Sequence, residues 1–273
     1  MKVDSLIRAG VVLAAVVALS ACGGAGDTGG AGGAGGAASV QGVYRGTTTI
    51  DQRTLAFKSI ILEDGQIWVA WGEQDAGGAL LVEGFLQGTR AATGTNWDVR
   101  RWFEYSGRVI LIDGVLRATI EDGLFDGRFS IPIAPPESGI HFERGTLFSD
   151  DEYVYNTPAQ TVDIEGVWDM TSLGRLASNP RLTIYPDGLY TGTFTTMGTY
   201  CNFGGTFTPR QSDKNIFDAM VTFDGWPCPH ENETAHGVGI LTRLLDGRQQ
   251  LIVGFLDDGR NSSDMLFGTR PQP

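Results

Sequence analysis

The sequence predicts an all-β protein built from two tandem small antiparallel β-barrels or sandwiches of about eight strands each, and three observations predict it. First, short runs rich in β-branched and aromatic side chains recur along the chain: Gln66 to Trp71, Ala79 to Phe85, Arg100 to Tyr105, Val109 to Ile112, Leu182 to Tyr185, Ile216 to Phe223 and Gln250 to Leu256. Lengths of about four to eight residues with that composition belong to strands. Second, Asp-Gly pairs stand at 64, 113, 122, 126, 187, 224, 246 and 258. Both residues tolerate positive φ, which is the chemistry of tight hairpin turns. Third, the chain repeats weakly at a spacing of about 123 residues: Gly42-Val43-Tyr44 is echoed by Gly166-Val167-Trp168, and Leu62-Glu63-Asp64-Gly65 by Ile184-Tyr185-Pro186-Asp187-Gly188. No stretch has helical periodicity of useful length; Ser172 to Ser178 is expected to supply one turn at most.

The first element is an export signal. Lys2 and Arg8 supply positive charge, Ala9 to Leu19 form an apolar stretch, and small residues precede Cys22. That stretch is well short of the roughly 20 residues a membrane-spanning helix needs, so residues 1–21 read as a removable signal. Leu19-Ser20-Ala21-Cys22 resembles the lipobox of bacterial lipoproteins, which implies diacylation of the Cys22 sulfur and a new acylated amino terminus. Two acyl chains give stable anchoring at about 0.8 kcal/mol per buried methylene. Gly23 stands where an aspartate would favour inner-membrane retention, so the outer membrane is the expected address. Residues 22–40 are almost only glycine and alanine and cannot bury enough apolar surface to fold. They read as a flexible tether with an end-to-end distance of about 23 Å by coil scaling.

Residues 41–150 form the first expected β-module, 151–163, with Pro158, a linker or crossing loop, and 164–273 the second module. Each module ends on a related motif, Gly-Thr-Leu-Phe at 145–148 and Leu-Phe-Gly-Thr at 266–269. Small closed barrels or sandwiches suit such copies because they remove or cover exposed strand edges. One large sandwich made from both halves is the competing architecture. A formal net charge of −12 with no basic stripe excludes nucleic acid as a partner and disfavours direct binding to anionic lipid. With Cys22 committed to lipid, Cys201 and Cys228 remain as an even pair in an oxidising compartment and are expected to form a disulfide.

Few residues offer chemistry. Cys228, His230, Glu231, Glu233 and His236 crowd one loop, yet the histidines are not spaced to share a helical face and Cys228 is assigned to the disulfide, so no metal is expected there. Asp150-Asp151-Glu152 and Asp257-Asp258 lack the alternating oxygen spacing of a calcium loop and read as solvated turn charges. No nucleophile elbow, phosphate loop or dinucleotide fingerprint occurs, and neither catalytic residues nor a cofactor are assigned. Among six tryptophans, Trp68 and Trp71 are three apart and therefore on opposite faces of one strand. One is expected to line the core while the other faces solvent or a partner, which makes the pair the candidate binding aromatics.

The order of motifs from Gly42-Val43-Tyr44-Arg45-Gly46-Thr47-Thr48, through Trp68-Val69 and Gly84-Phe85-Leu86-Gln87-Gly88-Thr89, to Cys201, Gly205-Thr206-Phe207-Thr208-Pro209-Arg210, Pro227-Cys228 and Gly247-Arg248-Gln249-Gln250-Leu251-Ile252 resembles a group of uncharacterised proteobacterial envelope lipoproteins with two tandem β-modules. The resemblance covers most of residues 41–270 and implies export, the β-fold and the cysteine pair. It brings no catalytic residues. The expected function is a membrane-anchored, non-enzymatic binding module for a small ligand or an envelope protein. An envelope structural or assembly factor and an envelope hydrolase are the alternatives.

Overall fold

The computed structural model describes residues 40–90, 96–105, 108–132, 139–174, 179–196, 198–226, 228 and 231–271. The signal, Cys22 and nearly all of the tether lie outside the described residues, as do Pro227 and His230. Two β-barrels follow one another, as expected, and the single large sandwich is corrected: each half closes or nearly closes on itself.

The first barrel contains β1 (Gly42–Ile50), β2 (Arg53–Ile61), β3 (Gln66–Gln74), β4 (Leu80–Arg90), β5 (Asn96–Tyr105), β6 (Arg108–Glu121), β7 (Leu124–Ser130) and β8 (Ile140–Leu147). Every strand pairs antiparallel with the next, and β8 returns to β1 to close the sheet. Strict alternation explains a strand such as β7, where Phe125, Gly127 and Phe129 are buried and Leu124, Asp126 and Arg128 exposed. The interior is filled with rings: Tyr44, Phe57, Trp71, Trp97, Phe125, Phe129 and Phe142 belong to one buried cluster.

The second sheet runs β10 (Thr171–Gly174), β17 (Ser263–Arg270), β16 (Gln249–Leu256), β15 (Thr234–Arg243), β14 (Phe217–Phe223), β13 (Thr199–Pro209), β12 (Leu189–Thr196), β11 (Arg181–Ile184) and β9 (Gly166–Asp169). Its two end strands are halves of one extended segment interrupted at Met170. β9 pairs with β11 while β10 pairs with β17, so this segment spans both edges and the barrel is nearly closed. Ser172 to Gly174 is therefore strand, not the single helical turn expected; 175–178 lie outside the described residues. Tyr190, Phe194, Phe203, Phe207, Phe217 and Phe223 fill this interior with Trp168.

The repeat is visible atom by atom. Tyr44 Oη donates to Val40 O at 3.0 Å, and Trp168 Nε1 donates to Ile164 O at 2.8 Å, each an aromatic tied four residues back at the entrance to its barrel. The turns match too: Gly65 and Gly188 have φ of 82° and 84°, and Asp64 and Asp187 accept from the backbone N–H two residues on at 2.9 and 3.0 Å. Not every Asp-Gly pair is a turn, however. Those at 113 and 126 lie inside β6 and β7, where a Cβ on Gly114 would come within 2.3 Å of Phe129 and one on Gly127 within 2.8 Å of Phe125. There glycine makes room for a ring, a second use that the dipeptide alone does not distinguish.

Residues 151–163 do not hang free between the modules. Tyr153 is buried, its hydroxyl donates to Asn215 O, Ala159 N donates to Lys214 O at 3.2 Å, and a short 3-10 turn spans Thr161–Asp163.

Candidate functional groove between the barrels

The outer faces of β2, β3 and β4 meet the outer faces of β15, β16 and β17. A third apolar cluster forms there from Ile60, Trp68, Leu80 and Phe85 on one barrel and Ile240, Ile252, Met265 and Phe267 on the other. This is why Ile67 to Gly72 of β3 and Gln250 to Leu256 of β16 are buried at every residue: one face lines a barrel and the other is covered by the neighbouring barrel. Polar bonds surround the cluster. Arg210 donates from Nε to Glu63 at 2.6 Å, from Nη2 to Asp64 at 2.8 Å and from Nη1 to Asp218 at 2.5 Å. Arg248 Nη2 reaches Asp75 Oδ2 at 2.7 Å, and Arg100 Nη1 donates to Arg260 O at 2.6 Å.

Where the two faces diverge they leave a groove of about 430 Å³. Its first wall is Gln66, Trp68, Gln87 and Thr89, which alternate outward on β3 and β4, Trp68 lying directly across from Gln87 in the register. The second wall carries Asp218, His236 and Leu256, and the loop after β16 adds Asp257, Asp258 and Arg260. Arg260 has a φ of 54°, and its Nη2 donates to Gln87 O at 2.8 Å. Asp257 Oδ1 accepts from Asn261 N and Ser262 N at 2.7 and 2.8 Å, which fixes the loop.

Three polar atoms of this lining have no protein partner among the described residues: Trp68 Nε1, Gln87 Oε1 and Arg260 Nε. Trp68 and Gln87 are each only 4% exposed. Leaving a buried donor or acceptor unmade costs about 1–3 kcal/mol, so three in one groove need a reason. The benzo edge of Trp68 lies against Gly254, where a Cβ would come within 2.5 Å of its Cζ3, and Nε1 is on the other side of the indole. Burial, followed by the charge of Arg100, holds the Arg260 guanidinium below its ordinary pKa. For Arg210 burial also opposes the charge, but its bond to Glu63 and the fields of Asp218 and Glu63 more than offset that and raise its pKa.

The candidate aromatics take different places. Trp68 and Trp71 do point to opposite faces, and the outward one, expected to face solvent or a partner, meets the other barrel. Trp71 fills the first barrel, and Trp68 is covered by the second barrel at the end of the groove. The exposed tryptophan is Trp226, at 84%, beside Cys228, with Tyr200 at 74% beside Cys201. Cys201 and Cys228 form the expected disulfide, with Cα atoms 5.0 Å apart. The acidic runs expected as solvated turn charges are corrected in part: Glu152 is largely buried, pairs with Arg45 and accepts from Ser149 Oγ at 2.6 Å, while Asp257 serves its own loop. Among the described residues no group of three or more His, Cys, Asp or Glu side chains is arranged to hold a metal ion.

No family model matches this chain, and no curated protein matches it. Among solved structures it is similar to a protein of unknown function from the DUF3598 family of Nostoc punctiforme, at 10% identity over 86% of this chain and 96% of that one, with a TM-score of 0.25. No function is carried over from it.

Proposed function

We propose that this chain is a membrane-anchored bacterial envelope lipoprotein, held through Cys22 and its glycine-alanine tether, and that it acts as a non-enzymatic binding module with its ligand site in the groove between the barrels. The observation that carries the binding reading is the groove of about 430 Å³ between the barrels, where Trp68, Gln87, His236 and Arg260 come together from both of them. The ring-filled barrel interiors support a site between the barrels over a site inside either one. Two of the groove carboxylates are committed, Asp218 to Arg210 and Asp257 to its loop, which supports binding over hydrolysis. The lipobox and the resemblance to envelope lipoproteins support the anchor.

Two measurements test this reading. Radiolabelled palmitate fed to a diderm bacterium should label the wild-type chain and not Cys22→Ser, and the variant should leave the membrane; membrane retention of Cys22→Ser overturns the anchor. For the groove, the full chain purified in detergent and ¹⁵N-labelled at tryptophan indoles is titrated with sugars, amino acids, glycylglycine and inorganic phosphate. A saturable shift of the Trp68 indole signal, identified by its loss in Trp68→Phe, supports the site, and an unmoved signal with every probe overturns it.

A second reading, an assembly factor, draws on Trp226 and Tyr200, which are exposed and stand close in sequence to the two cysteines of the disulfide. Trp226→Ala together with Tyr200→Ala should then abolish crosslinking to envelope proteins; unchanged crosslinks remove this reading.

A further inference from the structure

Trp226, 84% exposed, and Tyr200, 74% exposed, stay out of both barrel cores. Tyr200 stands near the start of β13 and Trp226 just past the end of β14, and these strand ends are neighbours in the antiparallel register, Phe203 lying opposite Phe223. Backbone and crosslink join the two segments: Asp224 N donates to Asn202 O at 3.1 Å, and the disulfide holds the Cα atoms of Cys201 and Cys228 5.0 Å apart. Tyr200 precedes Cys201 directly and Trp226 is two residues before Cys228, so the two aromatic Cα atoms are at most about 16 Å apart. The loop that carries Trp226 is anchored as well. Phe223 N donates to Glu233 O at 3.1 Å, Asn232 N to Asp224 O at 3.3 Å and Cys228 N to Gly225 O at 3.1 Å, which sets Trp226 within a turn that the disulfide ties to β13. A ring presented from a fixed backbone loses little further entropy when a partner covers it. Trp and Tyr are also residue types in which interface energy concentrates.

Charge selects the partner. From Ile216 to Thr242 the sequence has Asp218, Asp224, Glu231 and Glu233 and neither Lys nor Arg, and from Leu182 to Pro209 its one charged residue is Asp187. Asp218 is engaged by Arg210 at the opposite end of the strands. Asp224, Glu231 and Glu233 are exposed on the Trp226 loop, and a Cβ on Gly225 would come within 3.7 Å of Glu231 Oε1. Exposed Asn202, Thr222 and Thr234 add a neutral polar surround. Aromatic faces and carboxylates both attract cations, whereas this same field repels nucleic acid and anionic headgroups. Arginine meets the two features together, because its guanidinium plane stacks on a ring while its edge donates to a carboxylate.

We infer that this end of the second barrel docks a basic segment of a partner protein, with arginine side chains laid on Trp226 and Tyr200 and paired to Asp224 and Glu231. This rests on the assembly reading above and is independent of the groove. The test titrates the full chain in neutral detergent, ¹⁵N-labelled at tryptophan indoles, with hexa-arginine, and with hexaglutamine and cellohexaose as controls. Hexa-arginine should shift the Trp226 indole signal, identified by its loss in Trp226→Phe, saturably below about 1 mM. Its binding should weaken as salt rises, as exposed charges require. By calorimetric titration, Trp226→Ala with Tyr200→Ala should weaken hexa-arginine about tenfold or more at an unchanged thermal midpoint. Asp224→Asn with Glu231→Gln should weaken it about threefold or more, and Asp150→Asn with Asp151→Asn, an equal change of net charge elsewhere, should not. An unmoved indole signal, full affinity in the alanine variant, or equal losses in the two charge variants overturns the inference. So does a shift with hexaglutamine or cellohexaose as strong as with hexa-arginine; envelope crosslinks that still vanish in the alanine variant would then leave the assembly reading standing without a basic partner.

Discussion

Lys58 is the residue whose chemistry most opposes its position. It lies on β2 in the seam between the barrels, 6% exposed, and its Nζ donates to Thr242 Oγ1 at 3.1 Å and Gln250 Oε1 at 2.8 Å. Among the described residues no carboxylate pairs with it; Glu152 favours its charge from a distance, Arg45 opposes it, and the Phe148 ring centroid is 5.6 Å away. Burial dominates and lowers the pKa to about 7 from its ordinary 10.5. The unfolded chain therefore holds a proton that the folded chain releases between those two values, so stability rises with pH across about 7 to 10.5 and is at its lowest, for this group, below 7. Lys58→Met removes that dependence. Gln250 Oε1 keeps the Leu80 N–H at 3.1 Å, and its Nε2 keeps Leu80 O at 2.8 Å, so Gln250 stays satisfied and the variant loses the one bond to Thr242 Oγ1. At pH 6 to 7 it should gain about 1–4 kcal/mol in urea unfolding, in the range seen when buried charges give way to apolar side chains. That gain of the variant should shrink as pH approaches 10. Equal pH slopes in the two proteins would show that Lys58 is charged and well solvated in the folded state.

The disulfide governs one element, the loop that joins β14 to β15. Cys201 starts the inward run of β13 and Cys228 sits in that loop, 27 residues on. Asp224 N donates to Asn202 O at 3.1 Å and Cys228 N to Gly225 O at 3.1 Å, so backbone bonds and the crosslink act on the same segment. Closing a loop of that length contributes roughly 3–4 kcal/mol on the chain-entropy model. Cys201→Ala with Cys228→Ala should lower the unfolding free energy by about that much, and thiol counting under denaturation without reductant should find neither cysteine free in the wild type. Two titratable thiols there would remove the crosslink. Elements of this kind were legible in the sequence because their causes are local: β12 alternates through Tyr190, Gly192 and Phe194, and Asp-Gly at 64, 122, 187 and 246 sets turns whose glycines all have positive φ. The groove was not legible, because Trp68 and Gln87 come together only through barrel register and Arg260 arrives from the other barrel. One trace existed in continuous apolar runs. Ile67 to Trp71 and Leu251 to Phe255 do not alternate as one-sided strands do, and that pattern marks strands covered on both faces.

At the scale of the whole molecule, the two barrels are predicted to unfold together, because neither can separate without exposing the cluster between them. That cluster holds Ile60, Trp68, Leu80, Phe85, Ile240, Ile252, Met265 and Phe267 among others, all buried. Burial of such a side chain contributes about 1.5–3 kcal/mol as an upper estimate. Even half of that, summed over these few, equals the roughly 5–15 kcal/mol that stabilises a whole domain. The polar ring adds geometry more than energy, since Arg248 with Asp75 and Arg210 with Glu63 are partly solvated pairs. A tandem of independent modules on a flexible linker would give two thermal transitions; residues 151–163, tied to Asn215, Lys214 and Arg243, argue against such a linker. Calorimetry of the full chain should therefore show one transition, with a calorimetric enthalpy equal to the van't Hoff value. Ile252→Asp, which places a charge in the cluster between the barrels and not inside either one, should split that transition or lower its midpoint steeply. Two resolved transitions in the wild type would mean that the barrels fold separately, and the groove would then form only after they dock.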